Sequence, residues 1–452
     1  MKKIAALVLV LAMMLSCAAC SSQSGSTAQA SGTGAEKLTV WCWDENFNIA
    51  AMNTAAEYYR AAGHEDFELE VVNTIEEDVR SKCVAALSAG VTDGMPDIIL
   101  VGDNWAKNFL TNYEGCFVDL TDEIDFSEFA SYKVSCLTVN DRVYGVPFDS
   151  GSAGLFYRID ILEDAGFTPE DLEDITWPEM IEIAKTVKAE TGKYAFQFIP
   201  SECAFTWFDS AMQASGTWFY DENEDADFAN NAVVREMFDV TKELWNNDLV
   251  YQTDVRDSTG IAAMQNGEIA FVLNAIWYAP TIMASEESAG LWGYTNVPLL
   301  TSVENPSKYT NIGGSSWVIL ESSANQELAI DFMKTIWAGN EDFYDQILRE
   351  QAAVATWLPA TESEIYNEPV AFFNDQPIYG DFARWGEMVP SIDYGTQTWT
   401  VNAAIQAHLQ DYIDGNITLD EAMDLVRRSS KMQGCRAAIR SSRRCSWVWS
   451  TC

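Results

Sequence analysis

Residues 37–102 switch between two apolar periods. "KLTVWCW" (37–43) reads as a strand, and "FELEVVN" (67–73) alternates as a second. "PDIILVG" (96–102) is a continuous apolar run, the pattern of a parallel strand buried on both faces. Between them, "NIAAMNTAAEYYRAAG" places Ile49, Met52, Ala56 and Tyr59 at three-to-four spacing, which predicts a helix ending near Gly63. "IEEDVRSKCVAALSAG" predicts a second helix, with acid in its first turn and Gly90 as its stop. Strand–helix–strand–helix–strand predicts an α/β layer with right-handed crossovers. In open parallel sheets, ligands sit outside the carboxyl ends of the strands. The loops expected there are "WDENFN" and "GDNWAKNF", both rich in Asp, Asn and Trp. Trp41 and Trp43 fall on one face of their strand, because side chains repeat every two residues.

Further on, "RVYGVPF" predicts a short strand and a turn, and a second α/β set follows. Its helices are "WPEMIEIAKTVKAETG" and "VVREMFDVTKELWNNDLV". "GIAAMQNGEIAFVLNAIWYAPTIM" predicts helix, Asn266–Gly267 turn, strand and a polar-aromatic loop. "YTNIGGSSWVIL" is a glycine-rich strand, and helical patterns fill most of the remainder to Val426.

The ends differ from this body. Residues 1–20 read as an export signal: Lys2 and Lys3, an apolar run from Ile4 to Leu15, then small residues before Cys20. Small residues directly before a cysteine resemble a bacterial lipobox, with Cys20 the lipidation site; Cys17 is a weaker candidate. Residues 21–35 are rich in Ser, Gly, Thr and Ala and form a flexible tether. Residues 427–452 hold seven basic residues and no acid, after a body that carries all 68 acids against 18 bases. That break inside a helical pattern reads as a reading-frame shift or as a genuine basic tail for an anionic surface, and as unpacked in either case.

The acidic body excludes nucleic-acid binding, which needs a basic stripe. Two histidines, His64 and His408, leave almost no material for a catalytic triad or a histidine metal site. Cys42, Cys83, Cys116, Cys136 and Cys203 contain no CxxC pair, so no zinc or redox motif and no cofactor is expected. "DENEDADF" at 221 has acids at alternate positions, but it lacks the glycine and the final glutamate of a calcium loop and reads as a solvated turn. A body of this length exceeds one hydrophobic core, so two lobes are expected.

"LTVWCWDENFN", "MPDIILVGDN", "YGVPFDSGSAGLFYRIDILEDAGF", "FTWFDSAMQASG", "MQNGEIAFVLNAIW" and "GGSSWVI" occur in that order across 36–426. In order and spacing they resemble the extracellular solute-binding proteins of carbohydrate ABC transporters, the maltose-binding-protein-like family. The resemblance implies an α/β, two-lobed periplasmic-binding-protein-like fold of type II, each lobe a mixed sheet flanked by helices, with a ligand cleft between them. Lobe one is expected over 36–147 and 311–345, and lobe two over 148–310 and 346–426. Hinges are expected near Val146–Phe148, Tyr309–Ile312 and Phe343–Ile347. It also implies a lipid-anchored, extracytoplasmic monomer that closes on a small carbohydrate, passes it to permease subunits and is not an enzyme.

Sugar chemistry fits the residue types. Aromatic rings stack on the apolar faces of a pyranose, while carboxylates and amides take its hydroxyls. In lobe one the candidates are Trp43, Asp44, Asn46, Asp103, Asn104 and Trp105. For Asp103 and Asn104 the alternative is a helix cap, and for Trp105 helix packing. On the lobe-two side the resemblance implies Asp149, Ser150, Glu202, Trp277 and Trp399. Gly314 and Trp317 in "GGSSW" are further candidates, the glycines allowing close backbone approach. Trp207, Trp218, Trp245, Trp292, Trp337 and Trp385 are assigned to core or surface. Competing readings are a non-sugar solute, a secreted glycoside hydrolase and a sensory receptor domain.

Overall fold

A computed structural model describes residues 36–220 and 230–430. Cys20, the tether, the "DENEDADF" stretch and the chain from 431 onward lie outside the described residues.

The first lobe is built on strands β1 (Lys37–Cys42), β2 (Glu68–Asn73) and β3 (Ile98–Gly102). β1 pairs with both others in parallel, as the helical crossovers Asn48–Ala61 and Glu76–Ala89 require. After a hairpin of β4 (Thr138–Val139) and β5 (Arg142–Val143), the short β6 (Val146–Pro147) adds an edge. All five residues of β3 are buried. Ile98 and Leu100 face one side with Leu38, Val40, Met52 and Tyr59, while Ile99 and Val101 face the other with Val79, Cys83, Trp105 and Phe109. Gly90 takes a left-handed conformation at φ 64° and ends its helix as the sequence predicts.

The second lobe centres on β7 (Ala153–Arg158). Short β8 (Phe196–Gln197) and β9 (Val250–Tyr251) pair in parallel, and β10 (Phe271–Ala275) and β11 (Trp292–Thr295) flank β7 antiparallel. A parallel bridge from Tyr194 to Ile269 joins the two sets, so this sheet is mixed as well. Its predicted helix appears as Trp177–Thr191, started by the reciprocal Thr176–Glu179 capping box.

β12 (Ser315–Ile319) returns to the first lobe and pairs antiparallel with β3 and β6, giving the order β2-β1-β3-β12-β6. The lobes are joined by three chain segments that bond to one another. Ser150 N–H donates to the Val354 carbonyl (3.0 Å), Ile312 N–H to Gly151 (2.8 Å), and Ala153 N–H to Thr310 (3.0 Å). The first two segments overlap or adjoin the expected hinges. The third expected crossing, Phe343–Ile347, lies inside the helix Glu341–Gln351, and the segment that bridges to Asp149 is at Ala355, beyond a left-handed Ala352.

The helix Thr398–Ile413 packs Val401, Ala404, Ile405 and Leu409 into the second-lobe core. Residues 419–430 are also helical, with Val426 and Ser430 buried and Ser429 Oγ 3.0 Å from His408 Nε2. The composition break at 427 therefore falls within a helix that includes residues 427–430.

Candidate ligand-binding cleft

A cavity of about 690 Å³ opens between the lobes. From the first lobe it is lined by the loop after β1 and the start of the helix after β3: Trp43, Asp44, Asn46, Phe47 and Asn104. From the second lobe come Glu202, Phe205, Trp207, Asp254, Arg256 and Trp277, and the joining segments add Asp149, Gly313 and Gly314.

The loop after β1 is held by one buried side chain. Asn48 Oδ1 accepts from the Trp43 and Asp44 N–H groups, each at 3.1 Å. Asp44 Oδ1 in turn accepts from Asn46 N–H (2.9 Å) and Phe47 N–H (3.1 Å), closing the turn that projects the loop. The Trp277 indole N–H donates to the Ile312 carbonyl (2.8 Å), fixing that ring beside the joining segment. A side chain at Gly313 would press on this indole, and both Gly313 and Gly314 have positive φ.

Beneath the cleft lies a buried ion pair. Lys133 is fully buried, and its ammonium donates to both Asp103 carboxylate oxygens (2.7 Å each) and to the Ser315 carbonyl (2.9 Å). Burial pushes the Asp103 carboxyl up to about 6, although Lys133 opposes the shift. Asp149 Oδ1 accepts from the Ser315 N–H (2.8 Å) and hydroxyl (2.6 Å). A Cβ at Gly314 would stand 2.5 Å from Asp103 Oδ2, so only glycine fits between the cleft and this pair.

On the opposite wall, Arg256 donates to both oxygens of Asp254 (3.1 and 2.9 Å) and to Glu202 (2.9 Å). Burial raises the Glu202 carboxyl; at Asp254 burial is outweighed by the bonds from Arg256, and the carboxyl falls below its usual range. Among the described residues lining the cleft, Arg256 is the one Lys or Arg against five carboxylates: Asp44, Glu76, Asp149, Glu202 and Asp254. The walls thus present aromatic faces and many acceptors, the donor–acceptor set that suits a neutral polyol.

Eight of the sequence candidates line this space: Trp43, Asp44, Asn46, Asn104, Asp149, Glu202, Trp277 and Gly314. Five do not. Asp103 is committed to Lys133 below the floor. Trp105 is buried and its indole N–H donates to Glu76 (2.7 Å), so it supports a cleft residue from behind. Ser150 is buried within 3.3 Å of the Tyr132 hydroxyl. Trp317 is wholly buried against Phe148 and Trp337, because its place on β12 points it into the core. Trp399 is 44% exposed and stacks on Arg80 and Phe205 rather than lining the cavity.

Sequence reasoning missed Phe47, Phe205, Asp254 and Arg256, and it assigned Trp207 to core or surface. Trp207 does pack on Trp177 and Phe198, yet it also meets the cleft. It stands in a π-helical turn, Ala204–Phe208, whose extra residue shifts the phase of a helix. No local signal marks that shift. "TDVRD" at 253–257 did offer one, an arginine between acids next to a strand.

The model for bacterial extracellular solute-binding proteins matches residues 53–362. The chain belongs to this family. A lactose-binding protein from Rhizobium radiobacter is 38% identical over 392 residues, 87% of this chain and 92% of the relative. Among solved structures, the sugar-binding protein MalE from Xanthomonas citri superposes with a TM-score of 0.72 at 18% identity, covering 89% of this chain and 98% of that one. The galacto-N-biose/lacto-N-biose I-binding protein from Bifidobacterium longum, in complex with lacto-N-biose, gives a TM-score of 0.70 at 21% identity, with 87% and 96% covered. These superpositions establish the two-lobed binding-protein fold for this solute-binding protein. Among its described residues no helix is long and apolar enough to cross a membrane.

Proposed function

We propose that this solute-binding protein captures a mono- or oligosaccharide by closing its two lobes and delivers it to the permease subunits of an ABC importer, acting as a monomer and without catalysis. The observation that carries this reading is that Trp43 and Trp277 reach one cleft from different lobes, amid the carboxylates and amides of Asp44, Asn46, Asn104, Asp149 and Glu202. The rings stack on the sugar faces, and the polar groups bind and orient the hydroxyls. The cavity lies within the roughly 300–1,000 Å³ usual for small-molecule sites. The lactose-binding relative makes a galactose-containing disaccharide the first ligand class to test. Closure follows because a ligand touching both lobes binds the closed state better than the open one. Lipidation at Cys20 would hold the protein on the outer face of the membrane, with 21–35 as its tether.

Calorimetric titration of the full chain with lactose and a panel of mono- and oligosaccharides tests the reading. Saturable micromolar or tighter binding with the sugar recovered intact is expected. A folded protein that binds none of them would sink it.

A further inference from the structure

We propose that Arg256, held by Asp254 and Glu202, is a specificity-determining residue that donates to one ring hydroxyl of the sugar, while Glu202 accepts from that hydroxyl or the next. The parallel strands β8 and β9 both deliver residues to the cleft from beyond their carboxyl ends, Glu202 after β8 and Asp254 and Arg256 after β9. The turn after β9 is braced by buried side chains. Gln197 Nε2 donates to the Asp254 carbonyl (2.7 Å), and the Tyr278 hydroxyl donates to the Val255 carbonyl (2.6 Å). The Arg256 N–H donates to Asp254 Oδ1 (2.7 Å) and tightens the turn from within. A Cβ at Gly260 would collide with Gln197 Nε2, so glycine there lets the following helix close on the brace.

The guanidinium commits Nε and Nη2 to the two oxygens of Asp254, and Nη2 also to Glu202 Oε2. Its third nitrogen, Nη1, has no hydrogen bond to any described residue, and the side chain is 66% exposed, so a ligand in the cleft can reach it. Nη1 is thus a charged donor whose direction is set before the sugar arrives. A sugar hydroxyl both donates and accepts. The other charged groups lining the cleft are carboxylates, which when ionised only accept. Arg256 beside Glu202 therefore places a charged donor next to a charged acceptor. The arrangement needs the planar fork and not the charge alone. A lysine, with one nitrogen, cannot bond both oxygens of Asp254 through separate nitrogens and keep a third turned outward.

This role for Arg256 rests on the sugar-binding reading. Its test is calorimetry on the wild-type full chain, R256Q and R256K with lactose and its monodeoxy analogues, together with melting of each unliganded protein. Should the panel above identify another sugar, that sugar and its deoxy analogues take the place of lactose. R256Q is expected to bind lactose about ten- to hundredfold more weakly at an unchanged melting temperature. R256K, which keeps the charge and loses the fork, is expected to stay about fivefold or more below wild type. The analogue lacking the contacted hydroxyl should bind the wild type weakly and R256Q no more weakly, while the other analogues lose the full factor in R256Q. Wild-type affinity in R256Q, or full recovery in R256K, would overturn the role of Arg256 and leave the sugar-binding reading standing. An equal loss for lactose and every analogue would reduce Arg256 to a structural part of the wall and overturn it too. A wild-type chain that binds no sugar sinks the underlying reading, and this role with it.

Discussion

The loops after β1 and β3 carry nearly the same chemistry and meet opposite fates. After β1, Trp43, Asp44 and Asn46 all reach the cleft. After β3, Asp103 and Trp105 turn inward, and only Asn104 reaches it. The difference is position in the sheet. β1 is followed by five residues before its helix begins at Asn48, which leaves room for a projecting turn. β3 lies in the middle of the five-stranded order, is buried throughout, and its helix starts at Asp103 with no intervening loop. A helix entered directly from a central strand carries its first side chains into the core. The first loop therefore serves the ligand, and the second serves the fold.

Three perturbations bear on that contrast. Lys133→Ala strips the partner from a buried Asp103 and should cost about 3–5 kcal/mol of stability, read by chemical denaturation. A cost as small as that of a surface pair would show that the second loop is not structural. Trp43→Ala should do the reverse, weakening lactose binding about ten- to hundredfold while shifting the denaturation midpoint little. Unchanged affinity in the folded variant would remove this ring from the site.

The smallest effect comes from a second buried aspartate, which lacks a cation. Asp209 is bonded by the Asn402 amide at 3.0 and 2.9 Å, and burial pushes its carboxyl up to about 8, against about 6 for Asp103 beside Lys133. A raised folded-state value means that the folded protein keeps its proton where the unfolded chain has lost it. The stability that Asp209 contributes is then fully present below about pH 4 and is lost as pH rises to about 8. Asp209→Asn should remove about 2 kcal/mol of the decline between pH 6 and pH 8. An identical slope in the variant would show that Asp209 ionises freely in the fold.

The strands and helices of the first lobe were legible because each carries its own period, and Gly90 marks the end of one helix. The cleft was legible where a polar-aromatic cluster sits in a loop, as at Trp43 and Trp277. It was not legible where register decides. Trp317 lies one residue from Ser316 on a strand buried on both faces, and no pattern in "SSWVI" says which side meets the ligand. Trp399 resembles a ligand-stacking residue in sequence, yet its direction depends on where a helix from the second lobe meets Arg80. The third crossing was misplaced because the helix Glu341–Gln351 hides its true end, a non-glycine residue in left-handed conformation.

Asn48 gives the cleft one more property. The Asn48 amide oxygen and the Asp44 carboxylate together set the backbone of the loop after β1, and its tip takes little part in the core. Glu45 and Asn46 are exposed and can change without disturbing the fold. Selection can therefore retune ligand preference there by single substitutions, while the loop after β3 stays frozen. A designer wishing to move this scaffold to a new ligand should leave Asn48 and Asp44 in place and vary Glu45 and Asn46.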